Sequence, residues 1–495
     1  MTDLETALHP EGLRRVAIDP LSRVEGHGKV TILLDDANRV QQVRLHIVEF
    51  RGFEKFIEGR PYWEVPVMVQ RLCGICPVSH HLAAAKAMDQ IVGAQPTPTA
   101  EKIRRLMHYG QILQSHALHF FHLASPDLLF GFGADVAKRN IAGMLAANPE
   151  IVRQGVLLRK YGQEVIRMTA GKRVHGTGAI PGGVNKSLAA EERAALRQDI
   201  GQIIDWSGEA VQIIKGLFER NLTAFNAFGR FAAHSMCLVR ADGAMDLYEG
   251  GLRARRTDGS TLFDHFDYRR YWDVIVEDVK PWSYMKFPFF RALGSPDAGW
   301  YRVGPLARVT QCDFIPTPLA NKERSEFLAC PGASGATPGY HWARMIEMLH
   351  AAEAIENLLH DDDITGRDLV TSGQRQERGV GVIEAPRGTL IHHYRVDEND
   401  QVIRANLIVA TTHNNQAMNA AIRVVAQQYL DGHELTEGLL NHIEVAIRCF
   451  DPCLSCATHA LGHMPLEVEI VGADGTALDR MTRDLHGNCE RLAEP

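Results

Sequence analysis

Two Cys-x-x-Cys pairs stand near opposite ends of the 495-residue chain. The first lies in Arg71-Leu72-Cys73-Gly74-Ile75-Cys76-Pro77-Val78-Ser79-His80 and the second in Asp451-Pro452-Cys453-Leu454-Ser455-Cys456-Ala457-Thr458-His459. Two intervening residues let both sulfurs of a pair converge on one ion, with Gly74 or a small turn folding the backbone behind them. Pro77 suits the first turn of a following helix, and a helix N-terminus favours the thiolate form that binds metal. Isolated redox dithiols would sit in a βαβ pattern, which the flanks lack. A zinc ribbon keeps its pairs within roughly 15–20 residues of each other, whereas here most of the chain intervenes. Inert buried cysteines would explain one pair more easily than both. Four thiolates joining the ends of a large domain suit a soft or borderline metal. Spacing alone leaves zinc, nickel and an iron–sulfur cluster open. The remaining cysteines, Cys237, Cys312, Cys330, Cys449 and Cys489, are single and form no disulfide pattern.

The elements that must bring the pairs together are mostly helical. Val16 to Phe50 reads as β-rich, with Lys29–Leu34 and Val40–Val48 flanking a turn at Asp35–Asn38. From Pro61 to about Phe231 the pattern is helical, strongest at Leu82–Met88, 100–124 and 188–218. Residues 240–335 mix Gly, Pro and aromatics and read as long loops and short elements packed on the helices. A helix is predicted at 340–359, a second hairpin at 379–411 with its turn at Asp397–Asp400, and helices near 414–430 and 438–449 lead into the second pair. No linker or fixed-period repeat appears. The expected fold is one large, mainly α domain with small antiparallel sheets (α+β).

Composition narrows the partners. A net charge of −7 with 45% hydrophobic residues fits a globular protein with ample core and no nucleic-acid surface. The short basic cluster Arg253-Ala254-Arg255-Arg256 is expected on a solvated face. No run approaches the roughly 20 apolar residues of a membrane span. The start, Met1-Thr2-Asp3-Leu4-Glu5, lacks a signal-peptide core. A cytoplasmic protein with no membrane contact is expected.

The words around the cysteines resemble the large subunit of nickel–iron hydrogenases along nearly the whole chain. Arg-x-Cys-Gly-x-Cys with His80 beyond it and Asp-Pro-Cys-x-x-Cys-x-x-His are similar to the family's two metal motifs. Three further words match between them: Arg23-Val24-Glu25-Gly26-His27, Arg51-Gly52-Phe53-Glu54 and Glu384-Ala385-Pro386-Arg387-Gly388. Ser115–His119 and Ala410–Asn414 look most like the soluble NAD-reducing (bidirectional) branch.

The resemblance implies that Cys73, Cys76, Cys453 and Cys456 bind nickel, with Cys76 and Cys456 bridging to an iron that carries carbon monoxide and cyanide. Glu25 resembles the proton-relay glutamate beside a terminal cysteine; as a lone residue it could equally saturate loop backbone. Arg387 resembles the arginine above the metals, held by Asp451, although such an Arg is more often a surface or ion-pair residue. Thr411 would donate to a cyanide, and His80 to a cysteine sulfur. Glu54, the main-chain carbonyl of Leu407 and His459 resemble ligands of a magnesium ion. Ser115 and Ala410 stand where better-studied relatives carry aspartate and proline, so a less acidic canopy over the site is expected. His116, His119 and His122, at three-residue steps, are weighed as packing residues over a second metal site.

The implied domain spans residues 1–459, with 460–495 a C-terminal extension removed by cleavage between His459 and Ala460. A strand is predicted there at Leu466–Val471, followed by a turn at Gly472–Gly475. The implied partners are an iron–sulfur small subunit, flavin- and NAD-binding diaphorase subunits, a maturation endopeptidase and metal-insertion chaperones. No dinucleotide fingerprint or further cysteine cluster is present, so no NAD, flavin or iron–sulfur centre is expected in this chain. Alternatives are the same chemistry with NADP or a deazaflavin as acceptor, or a non-enzymatic hydrogen sensor. Quinone-reductase scaffold relatives lack the nickel cysteines that are all present here.

Overall fold

In the computed structural model, residues 12–49, 52–280, 282–458, 466–471, 477–483 and 489–492 are described. The N-terminal sheet is an antiparallel meander of Arg14–Ile18, Gly28–Leu34 and Val40–Ile47. Val30, Ile32 and Leu34 alternate onto one buried face. The sheet is closed by the helix Asn415–Tyr429, whose Asn419 Oδ1 accepts from the Leu45 amide at 2.9 Å. The two ends of the sequence are thus already neighbours before the cysteines are considered.

At the centre, the helix Pro98–Leu118 lies between Pro149–Ala170 and Gly339–His360, and the latter packs on the long helix Ala190–Arg220. Thr97 caps Pro98–Leu118 by accepting from the Ala100 amide at 3.1 Å. The last turns of that helix loosen into a π-helical stretch at His119–Ala124. The predicted helices at 340–359, 414–430 and 438–449 correspond to Gly339–His360, Asn415–Tyr429 and Glu437–Cys449.

Three regions differ from the sequence reading. The segment expected as a hairpin is a three-stranded meander, Arg378–Ala385, Gly388–Val396 and Val402–Ile408; its first connection is only the Pro386-Arg387 turn. Residues 234–302 hold a four-stranded mixed sheet in which Tyr301–Arg302 runs parallel to His234–Val239, a long-range pairing with no local signature. Arg253 of the basic cluster is buried, donating to Asp264 at 2.8 Å and to Asp313 at 3.1 Å. The acidic partners lie 11 and 60 positions away, so a window of neighbouring residues misses them.

The helix Pro77–Ile91 packs on the Arg378–Ala385 strand. Its Ala83-Ala84-Ala85 run lets the backbones approach closely, and a Cβ at Gly381 would meet the Ala83 carbonyl at 1.9 Å. Buried Lys86 cements the pair, donating to the Val382 carbonyl at 2.9 Å. This contact sets the first cysteine pair against the turn that carries Arg387. Beyond the second pair, Leu466–Val471, Ala477–Arg483 and Cys489–Leu492 form an antiparallel sheet in sequence order. The first of these is the predicted strand, and the predicted turn at Gly472–Gly475 lies outside the described residues. No helix among the described residues is long and apolar enough to cross a membrane.

Candidate metal centre

Cys73 ends the short 3-10 helix Val69–Leu72, and Cys76 is the residue before helix Pro77–Ile91, with Pro77 in its first turn. The backbone between them curls over the first sulfur, so that the Ile75 and Cys76 amides donate to Cys73 Sγ at 3.2 and 3.4 Å. Gly74 is not what permits this: a Cβ there would meet nothing within 4 Å and its φ is not positive. The turn is held from outside by Gln111 and Gln114 of the central helix, both donating to the Ile75 carbonyl, at 2.8 and 2.6 Å.

Cys453 and Cys456 lie in irregular chain after helix Glu437–Cys449. They are positioned by the N-terminal loop. Glu25 forms a parallel bridge with Cys453, its carbonyl accepts from the Leu454 amide at 3.0 Å, and its carboxylate accepts from the Ser455 amide at 3.2 Å and from the Ser455 hydroxyl. Gly26 makes the approach possible, since a Cβ there would stand 2.6 Å from the Ser455 nitrogen.

The four sulfurs, all buried, lie within 4.8 Å of one another. Cys453 Sγ is 2.7 Å from Cys456 and 3.3 Å from Cys73, and Cys76 is 3.6 Å from Cys456. Among the described residues this is the one group of three or more His, Cys, Asp or Glu side chains with such convergence. The neighbouring thiols, hydrogen-bonded to Cys73, hold it well below the usual thiol range, whereas burial pushes Cys456 well above it. Such a set wants a cation. Glu25 is half-buried, and burial, then the adjacent Cys73, raises its carboxyl pKa above the usual carboxylate value.

A cavity opens beside the sulfurs, walled by Cys76, Ser79, His80, Pro386, Arg387, Ala410, Thr411 and Cys453 among others. Of the two cysteines expected to bridge, Cys76 lines it; Cys456 does not, and Cys453 takes that place in the wall. Donors converge on the cavity. Arg387 Nε donates to the Asp451 carbonyl at 2.6 Å and Nη2 to Asp451 Oδ1 at 3.1 Å, while buried Nη1 has no partner among the described residues. Ser79 Oγ and His80 Nε2 are likewise buried and unpartnered among the described residues. Thr411 Oγ1 accepts from the Cys453 amide at 2.9 Å, which leaves its hydroxyl proton to be given elsewhere. Asp451 sits at φ 53°, a left-handed conformation that turns both its carbonyl and its carboxylate to the guanidinium. Soft sulfurs on one side and unpaired donors on the other fit a thiolate-bound metal whose own small ligands are hydrogen-bond acceptors.

Three residues missed in the sequence support Arg387. Buried Arg308 donates to the Ala385 and Pro386 carbonyls at 3.0 and 3.3 Å, to Glu384 at 2.7 Å and to Glu347 at 2.5 and 2.6 Å. Glu384, three residues before Arg387, also accepts from the Leu238 amide at 2.8 Å. Nothing in the sequence around Arg308 or Glu347 marks them; only their shared burial with Glu384 does.

His116 meets Glu347 at 3.0 Å, and His119 meets the Arg448 carbonyl at 2.7 Å, so these two bond to other elements, as packing histidines do. Ser115 is buried behind them with no partner among the described residues for its hydroxyl. Away from the sulfurs, Glu54 Oε1 accepts from the Leu407 amide at 2.7 Å, with Lys286 Nζ 3.7 Å from the same oxygen. Glu54 and Leu407 are therefore neighbours; His459 and Ala460 lie outside the described residues.

The chain matches the nickel-dependent hydrogenase family over residues 51–147 and 238–459, and a HoxL-like family over 15–50. It is 48% identical to the NAD-reducing hydrogenase HoxS subunit beta of Cupriavidus necator, covering 95% of this chain and all of that one. It is 41% identical to a chain of the F420-non-reducing hydrogenase of Methanothermobacter thermautotrophicus, over 94% of this chain and all of that one. Among solved structures, an NAD+-reducing [NiFe]-hydrogenase in the H2-reduced state superposes with a TM-score of 0.89 at 60% identity, covering 90% of this chain and 99% of that one. A Ni-Fe-Se hydrogenase from Desulfovibrio vulgaris Hildenborough shares the fold at 24% identity, with a TM-score of 0.74, over 90% of this chain and all of that one.

Proposed function

Because the chain belongs to the nickel-dependent hydrogenase family, we propose that it is the catalytic large subunit of a soluble, cytoplasmic NAD-reducing hydrogenase, with Cys73, Cys76, Cys453 and Cys456 as the ligands of its nickel–iron centre. The single observation that carries the reading is the convergence of four buried sulfurs from both ends of the chain beside a cavity rimmed with unpaired donors. The bound centre, its iron carrying carbon monoxide and cyanide, supplies reversible cleavage of hydrogen into two protons and two electrons.

The chain's own residues do the rest. Arg387, pinned by Asp451, presents Nη1 to the cavity as a fixed donor that costs no reorganisation. Thr411 and Ser79 offer hydroxyl protons to acceptor groups on the metal side. Glu25 receives a proton at its carboxylate from the Cys453 side, and the Ser455 hydroxyl steadies it for the next transfer. Electrons leave for NAD by way of flavin-containing diaphorase partners, which they reach through an iron–sulfur small subunit. A magnesium ion held by Glu54, the Leu407 carbonyl and His459 fits the juxtaposition of the first two residues.

We further infer that residues 460–495 are an extension cut away between His459 and Ala460 by a nickel-dependent endopeptidase, after chaperones have inserted the metals. The family match reaches residue 459, in support of that boundary. The four sulfurs already converge with the tail attached, so the cut is inferred to lock the second pair onto the loaded metals as the last step.

Metal analysis and infrared spectroscopy of the purified complex test the main reading. Nickel and iron in equal amounts, with carbon monoxide and cyanide bands, are expected; a zinc-loaded protein without those bands would sink it. Intact-mass measurement tests the processing: the active large subunit is expected to end at His459, and an active, nickel-loaded chain retaining Pro495 would refute it.

A further inference from the structure

His80 lines the cavity; its buried Nε2 has no partner among the described residues, and its Nδ1 lies 3.1 Å from His392 Nε2. The other nitrogen of His392, Nδ1, lies 2.6 Å from the Tyr394 hydroxyl. All three side chains are fully buried. His80 comes from the helix that begins at the first cysteine pair, and His392 and Tyr394 from the Gly388–Val396 strand that follows Arg387.

Only one proton fits between two imidazole nitrogens 3.1 Å apart, so one ring donates and the other accepts. Each neutral ring carries a single N–H, and fixing one hydrogen bond fixes the next. The chain therefore has two possible directions, and its far end chooses between them. A buried phenol must place its proton on an acceptor, and among the described residues Tyr394 makes its hydrogen bond to His392 Nδ1 alone. The 2.6 Å separation belongs to the O–H donor range, shorter than an N–H donor prefers. Tyr394 thus donates to His392 Nδ1, His392 Nε2–H donates to His80 Nδ1, and His80 is left with its proton on Nε2.

We propose that Tyr394 and His392 are positioning residues whose one-way hydrogen-bond chain locks His80 in the Nε2–H tautomer, so that it presents a donor to the metal cavity. The inference rests on the functional reading above, since the acceptor that His80 faces is a sulfur or a small ligand of the centre. The opposite tautomer would aim a bare nitrogen at these electron-rich groups. His80 then joins Arg387 Nη1 as a second fixed donor, approaching from another wall of the cavity. It differs from Arg387 in that its donor character is imposed by a phenol two hydrogen bonds away.

The test uses the purified multi-subunit complex. Tyr394→Phe keeps the ring and removes the proton that directs the chain. Nickel content is expected to stay at the wild-type level, the cyanide infrared bands to shift or split as the second tautomer appears, and hydrogen uptake to fall about tenfold. His392→Leu should reproduce the shift. His392→Gln, whose amide can accept from Tyr394 and donate to His80, should restore most of the wild-type band pattern. Neutron diffraction of the deuterated wild-type complex should place deuterium on His80 Nε2 and on Tyr394 Oη. Unchanged bands and uptake in both Tyr394→Phe and His392→Leu, or deuterium on His80 Nδ1, would overturn the inference. A wild-type complex with no carbon monoxide or cyanide bands would instead overturn the functional reading, while the neutron result still decides the tautomer.

Discussion

Cys73 and Cys76 are shaped by local structure and braced by Gln111 and Gln114, 36 and 39 positions beyond Ile75, Cys453 and Cys456 by contacts that cross nearly the whole sequence. The first pair sits between a 3-10 turn and the start of a helix, and its own amides donate to one of its sulfurs. The second pair stands in irregular chain and owes its position to Glu25, Gly26 and Thr411, between 42 and 430 positions away. Equal spacing therefore conceals unequal dependence. A locally built pair can be ready before the domain is complete, whereas the other exists only once both ends have met. The difference matches the order of assembly proposed above, in which the second pair closes last.

Removing a sulfur from either pair should have the largest effect and erase the distinction. Cys76→Ala and Cys456→Ala are each expected to abolish nickel retention and hydrogen uptake in the purified complex, whereas Cys330→Ala leaves both intact. Full nickel in Cys76→Ala would break the four-thiolate site. Next come substitutions that spare both pairs but disarm their surroundings. Arg387→Lys keeps the charge and loses the planar fork onto Asp451, so turnover should drop about a hundredfold with metals retained. Glu25→Gln keeps the backbone bridge to Cys453 and loses the titrating oxygen; hydrogen–deuterium exchange with solvent should fall at least about a hundredfold. Unchanged exchange would mean that the proton leaves by another way.

The smallest effects separate the scaffolds most cleanly. Gly26→Ala places a methyl group against the Ser455 nitrogen, strains a positive φ, and should lower nickel occupancy by disturbing the second pair alone. Gly74→Ala, inside the first motif, adds a methyl that meets nothing and should shift stability by under about 0.5 kcal/mol, with nickel content unchanged. If Gly74→Ala proved the more damaging of the two in metal analysis, the contrast between the pairs would be wrong.

That last pair of outcomes also shows where sequence reading reaches its limit. The helices, the N-terminal hairpin and the two cysteine words are legible because each rests on residues close in sequence: Pro77 after Cys76, the Ala83–Ala87 run, Asp35–Asn38 between apolar strands. Gly74 invites a role because it stands between cysteines, and the structure gives the close approach to Gly26 instead. Glu25, Arg387, Asp451 and Thr411 stand out by motif position, but the hydrogen bonds that aim them do not. Arg308, Glu347 and His392 carry no local signature, since a buried ion pair or a histidine relay is defined by groups brought together from distant strands and helices. The parallel pairing of Tyr301–Arg302 with His234–Val239 is invisible for the same reason.

The bridge between Glu25 and Cys453 has a consequence for how long a metal stays. A ligand held by four sulfurs behind that bridge cannot depart through fraying at one end, because the nearest terminal segments are tied to each other. Release past that bridge requires the loop of residues 21–28 to part from residues 451–456, which breaks the Glu25–Cys453 bridge and the bond from the Leu454 amide to the Glu25 carbonyl. Loss of metal by that way is expected to be limited by the opening of this bridge, not by affinity. Added chelator should strip the centre at a rate independent of chelator concentration and steeply dependent on temperature. The half-life of the loaded centre would then be the waiting time for the two ends of the chain to let go of each other.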